Sequence, residues 1–204
     1  MSIFHYFSSD PNKRAKFIFN LIAPIYNMVD GALSDNYSKA IDILDAEIDI
    51  KNKTVLDLGT GTGAWAVMFE QKNAQSITGV DFASKMLNVS KKKHPSINFI
   101  IGDAENLENI ADNSFDIVTA SYVVHGVKIE RRANILKEMQ RISKQHVVIH
   151  DFVGRTPIFI RVLEFMEKSD YKFFKKNICN ELQQLFSSSK KIEVEKGSGL
   201  YIAN

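Results

Sequence analysis

The run Val55-Leu56-Asp57-Leu58-Gly59-Thr60-Gly61-Thr62-Gly63 joins a short apolar stretch to an acid and then places glycine at every second position. Ala64-Trp65-Ala66-Val67-Met68-Phe69 follows with the character of a helix. Glycine lets the backbone turn tightly and come close to a ligand, because no Cβ intervenes. A helix that starts beside such a loop aims its unpaired N–H groups at whatever the loop holds. A strand, a glycine loop and a helix in this order are suited to holding a nucleotide-like cofactor.

Two cofactors meet these requirements. Gly59-x-Gly61-x-x-Ala64 has the dinucleotide spacing, whose last position accepts Gly or Ala. Asp81 closes Ser76-Ile77-Thr78-Gly79-Val80-Asp81 about 20 residues downstream, where a ribose-binding acid belongs. NAD and S-adenosylmethionine (SAM) both satisfy that much, and Asp57 favours SAM. SAM carries a sulfonium and an ammonium but no pyrophosphate, and a carboxylate at close range attracts a cation and repels an anion. An Asp at this place also has a purely local use, accepting N–H groups of the loop.

Val55 to Gly63, Gly79-Val80-Asp81, Gly102-Asp103-Ala104 and Phe115-Asp116-Ile117-Val118 together resemble, in order and spacing, the class I SAM-dependent methyltransferases. The resemblance runs from about Lys53 to the C-terminus. It implies an α/β fold, a Rossmann-like seven-stranded, mostly parallel sheet with helices on both faces and a C-terminal antiparallel hairpin. It implies SAM as cofactor and S-adenosylhomocysteine (SAH) as product. Asp57 is then expected at the cofactor's amino-acid end, with Gly59, Thr60 and Gly61 as a backbone cradle. Asp81 is expected to take the ribose hydroxyls, since one carboxylate accepts both hydrogen bonds. Phe82 is placed against the adenine or, equally, in the core. Asp103 and the Ala104 N–H are implied at the adenine edge, the alternative being a surface turn.

Ser121 and Tyr122 follow the fourth strand, where the family places the methyl group and the acceptor. His125, in Tyr122-Val123-Val124-His125-Gly126, has an ordinary pKa near ~6.5 and so can accept a proton at neutral pH. A structural histidine bonded to backbone is the competing reading. His125 is the expected base and Tyr122 or Tyr26 the expected positioning groups. His150 and Asp151 end the fifth strand and, as adjacent strand residues, are expected to point to opposite faces. Phe19-Asn20-Leu21-Ile22-Ala23-Pro24-Ile25-Tyr26-Asn27 resembles a segment of ubiquinone/menaquinone C-methyltransferases that lies over the cofactor, which implies Tyr26 near the sulfonium. The chain departs from that subfamily at Asn27, at Val123-Val124-His125-Gly126-Val127 and at Ser143-Lys144-Gln145-His146, so the enzyme class is carried over and the quinone substrate is not.

Those residues need strands that end together. The pattern predicts strands at 53–58, 76–81, 97–101, 115–120 and 145–151, with helices at 62–72, 83–93, 105–109 and 129–143. In such sheets ligands bind at the carboxyl ends of the strands. Residues 1–50 read as a helical lid, with a helix opened by Asp10-Pro11, a bend at Pro24 and a further helix capped by Ser34 or Asp35. Residues 51–204 read as the SAM-binding unit. Within it, 157–187 is helical, with Phe159, Leu163 and Met166 on one face, and 191–202 forms a hairpin.

At 204 residues and net charge +2, the chain has no basic stripe that nucleic acid would require. A single cysteine, Cys179, excludes an intrachain disulfide and any two-thiolate metal site. No stretch reaches the roughly 20 apolar residues of a membrane span, and no signal peptide is visible. These features point to a cytoplasmic protein, monomeric or homodimeric, acting on a small molecule without a metal. An RNA or protein methyltransferase, a non-catalytic SAM-binding protein and an NAD-dependent dehydrogenase are the alternatives.

Overall fold

The computed structural model describes residues 20–21, 26–154, 171–195 and 197–204, with the side chains of 26–30, 32 and 172 left aside. In chain order the elements are α1 (Tyr26–Ile48), β1 (Thr54–Leu58), α2 (Ala66–Gln71), β2 (Ser76–Asp81), α3 (Ser84–Lys93), β3 (Asn98–Ile101) and β4 (Phe115–Ser121). A 3-10 turn (Val124–Gly126), α4 (Ile129–Ile142), β5 (Ser143–Phe152), α5 (Tyr171–Leu185), β6 (Ser189–Glu195) and β7 (Ser198–Ala203) complete the chain. The seven strands form one sheet in the order β3-β2-β1-β4-β5-β7-β6. β1 to β5 are parallel, and β7 is antiparallel to both β5 and β6. The expected architecture is therefore present.

Period-two alternation divides the core into two layers. Leu56, Val118 and Ile149 face a layer completed by Leu136 and Met139 of α4 and by Phe174 and Ile178 of α5. Val55, Ile117 and Val148 face the opposite layer with Ile41 and Leu44 of α1 and Phe69 of α2. The order reverses between β1 and β4, so a crevice opens at their carboxyl ends. The same alternation decides which groups share a side. His150 joins the α1/α2 layer, with its ring 4.9 Å from Trp65 and 5.6 Å from Tyr37. Asp151, one residue on, meets His125, whose ring lies against Tyr171 and Phe174 of α5.

Three expected elements differ. No helix forms at 105–109: the Asp103 carboxylate accepts the Glu105 N–H at 3.1 Å, and residue 103 bridges to Asn106. A side chain that captures nearby backbone N–H in this way competes with helix formation. The helix expected at 62–72 starts at Ala66, because Gly61 and Gly63 hold φ of +55° and +83°. Ser34 and Asp35 do not cap a helix; α1 runs through them from Tyr26. The Asp10-Pro11 start, the Pro24 bend and the Phe159–Met166 stripe lie outside the described residues. Among the described residues, no helix is long and apolar enough to cross a membrane.

Candidate active site

The glycine loop is held by its neighbours. Thr60 N–H donates to the Val80 carbonyl at 3.0 Å and Gly63 N–H to the Thr60 carbonyl at 2.8 Å. Gly59 and Gly61 have φ of +68° and +55°, in the region L side chains avoid. A Cβ on Gly59 would stand 2.6 Å from Val123 Cγ2, so the segment after β4 rests directly on the loop. Gly59→Ala is expected to cost about 1–2 kcal/mol in backbone strain alone and to weaken SAM binding at least tenfold. Adding Val123→Ala should relieve the contact and leave the strain; full recovery of affinity in that double variant would show that φ does not matter here.

The two acids of the loop have divided roles. Asp81 Oδ2 accepts the Gly61 N–H at 2.9 Å and Oδ1 the Ala83 N–H at 2.7 Å. Burial raises its pKa, and the N–H groups of Ala83, Gly61 and Phe82 oppose that rise. Asp57 has no such use. It is 1% exposed, and neither carboxylate oxygen accepts a well-formed hydrogen bond among the described residues. Burial pushes its pKa up to about 7; the Thr60 hydroxyl offsets part of this, and the nearby charge of Asp81 adds to it. The local reading of Asp57 therefore does not hold, and a buried carboxylate without directed donors is suited to a cationic ligand group.

The remaining cofactor residues lie at the neighbouring strand ends. Phe82 is half-buried at the end of β2. Asp103 and Ala104 are half-buried in the turn after β3. Tyr26 begins α1, with its side chain outside the described residues. Asn20, buried, accepts the Lys85 N–H at 2.9 Å, which sets residues 20–21 beside the first turn of α3.

Ser121 belongs to a buried chain of polar groups. Its Oγ lies 3.0 Å from His150 Nδ1, and His150 Nε2 lies 3.0 Å from Ser198 Oγ. Ser198 and Tyr122 hydroxyls both donate to Asn36 Oδ1, at 3.1 Å each. Asn36 Nδ2 donates to Glu195 at 3.1 Å, and Glu195 pairs with Lys39 at the surface. Because Ser198 gives its proton to Asn36, it must accept from His150 Nε2–H. His150 Nδ1 then accepts the Ser121 proton, leaving only oxygen lone pairs of Ser121 for a ligand. Burial drives the His150 pKa down to about 4, so this imidazole is neutral at neutral pH. Sequence reasoning missed Asn36 and Ser198, which lie 162 positions apart.

The expected catalytic pair meets at one ring, Phe152, whose centre lies 4.9 Å from that of Tyr122 and 4.8 Å from that of His125. Tyr122 adopts φ +52°, a strained conformation for a bulky residue, and burial raises its phenol pKa to about 12. Its hydroxyl turns to Asn36, on the α1 side of the sheet. His125 lies on the other side. Its side chain is 13% exposed and its Nδ1 stands 2.7 Å from Oδ1 of the fully buried Asp151. The His125 backbone N–H donates to Asp151 Oδ2 at 3.2 Å, and the Phe152 N–H to Oδ1 at 2.8 Å. Both His150 and Asp151 were noted in the sequence, and they point to opposite faces as expected. The pairing of Asp151 with His125, 26 positions apart, was not anticipated.

Comparison with known proteins agrees with this geometry. Residues 55–146 match the family model described as a methyltransferase domain. A demethylmenaquinone methyltransferase of Chlorobaculum parvum is 29% identical over 181 residues, 84% of this chain and 70% of that protein. The protein of the same name from Paenarthrobacter aurescens is 36% identical over 142 residues, 66% of this chain and 53% of its own length. The chain belongs to the class I SAM-dependent methyltransferases. In fold, this methyltransferase is similar to magnesium protoporphyrin IX methyltransferase from Synechocystis PCC 6803 with bound SAM. The TM-score is 0.66 at 15% identity, covering 83% of this chain and 78% of that one. The methyltransferase's residues fit SAM on their own chemistry: a buried carboxylate that no N–H group among the described residues satisfies, suited to the ammonium, and a side-chain-free cradle at Gly59 and Gly61.

Proposed function

We propose that this methyltransferase acts on a small, flat acceptor carrying an ionisable ring hydroxyl. When bound, SAM supplies an activated methyl group, so the chain has to hold the cofactor, orient the acceptor and accept a proton. The observation that carries the reading is the buried Asp57 carboxylate beside the glycine loop. Asp57 takes the ammonium end. Gly59, Thr60 and Gly61 cradle it, while Asp81, already fixed by loop N–H groups, offers its remaining lone pairs to the ribose. Phe82, Asp103 and Ala104 frame the adenine, and Ser121 accepts a hydrogen bond at the reacting end. His125 takes the acceptor proton, and Tyr122, through Asn36, ties the strand end to α1. Residues 20–21 lie on the cofactor unit through the Asn20 contact with Lys85, which supports a lid role for that part of residues 1–50; Tyr37, Ile41 and Leu44 instead complete a core layer of the unit formed with residues 51–204.

The acceptor class is supported by the aromatic surroundings of His125, whose ring meets Phe152 at 4.8 Å. It is supported too by the names of the relatives, which act on demethylmenaquinone. Most of the rate is expected from positioning and from exclusion of water. Calorimetry with SAM, SAH and NAD tests the cofactor: micromolar binding of the first two and none of NAD is expected. Incubation with methyl-labelled SAM and a 1,4-naphthoquinol lacking the ring methyl tests the acceptor, and label found in the naphthoquinol is the expected result. Label passing instead to bulk RNA, with binding that falls steeply in salt, would replace this reading by the RNA alternative.

A further inference from the structure

The hydrogen bonds that link Glu195 at the surface to Ser121 at the end of β4 can run in one direction only. Hydrogen bonds from Lys39 and Asn36 hold the Glu195 pKa below its usual value, so its oxygens accept and do not donate. Asn36, 8% exposed, places Nδ2 3.1 Å from Glu195 Oε2. The opposite orientation of the amide would set its oxygen against a carboxylate. Asn36 Oδ1 therefore faces the Tyr122 and Ser198 hydroxyls, at 3.1 Å each, and both donate to it. Ser198 has then spent its one proton, so it accepts from Nε2–H of His150 at 3.0 Å. The lone pair on Nδ1 accepts from Ser121, also at 3.0 Å. The orientation of the Ser121 hydroxyl is thus decided on α1 and β6, not on β4.

Every proton in this chain points away from Ser121. Dipoles aligned head to tail put their negative end at the Ser121 oxygen, and hydrogen bonds in a row polarise one another. The surroundings screen them little: His150 is fully buried among the rings of Tyr37, Trp65 and Tyr122. A group facing Ser121 has to carry positive charge or a proton to donate. At the reacting end of SAM that group is the sulfonium, and SAH has a neutral sulfur in its place.

We infer that Asn36 is a positioning residue for the cofactor: anchored by Glu195, it orients the Ser198, His150 and Ser121 hydrogen bonds so that Ser121 turns its lone pairs to the sulfonium and favours SAM over SAH. Asn36 touches neither cofactor nor acceptor and acts through those three side chains. The inference rests on the reading that puts Ser121 at the reacting end, and it deepens that reading by naming what fixes the hydroxyl.

The first test is ¹⁵N NMR of the ligand-free protein, with His150 identified by its nearness to Trp65, the single tryptophan of the chain. Nε2–H on neutral His150 is expected. Nδ1–H in the wild-type protein would overturn the proposal, and this result needs no variant to fold. In Asn36→Leu the Ser198 proton loses its oxygen partner on α1 and turns to Nε2. The tautomer is then expected to switch to Nδ1–H, and Ser121 offers its proton outward. Exchanging the surface charges, Lys39→Glu with Glu195→Lys, gives Asn36 a donor to face and should cause the same switch with Asn36 retained. Nε2–H persisting in both variants would mean that the direction is not set from Asn36. Calorimetry reads the consequence: the ratio of SAM to SAH affinity is expected to fall about tenfold in Asn36→Leu, the range of a hydrogen bond to a charged group. A structural role alone would weaken both ligands alike, and an unchanged ratio would overturn the proposal. If neither SAM nor SAH binds the wild-type protein, the cofactor reading fails and the sulfonium role falls with it, while the His150 tautomer still decides whether Asn36 directs the chain.

Discussion

Asp57→Asn is expected to weaken SAM binding by about 100-fold or more, while raising the melting temperature of the ligand-free protein at pH 8. Both effects come from one property. The Asp57 carboxylate is buried beside the glycine loop without a directed donor, and burial raises its pKa from 3.8 to about 7. Between those values the folded state holds a proton that the unfolded state has lost. Stability therefore falls as pH rises through that window and stays reduced above it. At about 1.36 kcal/mol per pKa unit, the loss by pH 8 is at most roughly 4 kcal/mol. Asparagine fills the same space without the charge and escapes the penalty. It also loses the attraction for the cofactor's ammonium, and a 100-fold loss corresponds to about 2.8 kcal/mol.

The pH dependence separates this account from a general loosening of the loop. His150 works in the opposite direction. Its folded pKa, lowered from 6.5 to about 4, makes stability rise with pH through that window. In the wild-type protein the two trends oppose each other between about pH 4 and 6.5. The D57N protein keeps the His150 trend and loses that of Asp57. The difference between the two melting curves isolates Asp57: it should vanish below pH 4 and reach its full size just above pH 7. SAM affinity of the wild-type protein should also rise with pH up to about 7, as Asp57 ionises, and that of D57N should not. A D57N protein that melts lower than wild type at pH 8 would mean that the carboxylate has a structural partner.

The placement of Asp57, Asp81 and Ser121 at neighbouring strand ends was legible in the sequence for a physical reason. Each ends an apolar run, and parallel strands bring their carboxyl ends to one edge. The chain order of the parallel strands and the closing hairpin were legible from the same runs. What was not legible depends on contacts between distant positions. Nothing local to Asn36, in the middle of a helix, marks it as the acceptor for Tyr122 and Ser198. The signal for the His125–Asp151 pair was present but incomplete: both residues follow the ends of strands, yet only the pairing of β4 with β5 makes those ends adjacent. The failed expectations have local causes. Ser34 and Asp35 read as caps, but α1 is already helical from Tyr26, so their N–H groups lie inside a continuous helix; the stripe of Tyr37, Ala40, Ile41 and Leu44 that follows them is buried as its spacing implies. At 105–109 the reverse holds: the apolar content is small, and one carboxylate suffices to turn the chain.

Glu181→Leu is expected to destabilise the protein by about 3–5 kcal/mol, because it strands a buried cation. Arg132 is 0% exposed, and its guanidinium forms a two-pronged pair with Glu181, Nε at 2.7 Å and Nη2 at 2.8 Å. Nη1 donates to the Val127 carbonyl at 3.2 Å, and the group lies 5.6 Å from the Phe174 ring centre. The pair joins α4 to α5, and α5 supplies Tyr171 and Phe174 to the surroundings of His125. At roughly 2–4 °C per kcal/mol for a chain of this size, the melting temperature should fall by about 10 °C. Arg132→Met combined with Glu181→Leu should recover most of that loss, since apolar groups of similar volume replace a buried pair at little cost. Activity should follow the same course: depressed in Glu181→Leu, where α5 is no longer tied to α4, and restored in the double variant. An unaltered melting temperature in Glu181→Leu would mean that water already reaches Arg132. A double variant that is stable but inactive would mean that the pair shapes the acceptor pocket through more than the placement of α5.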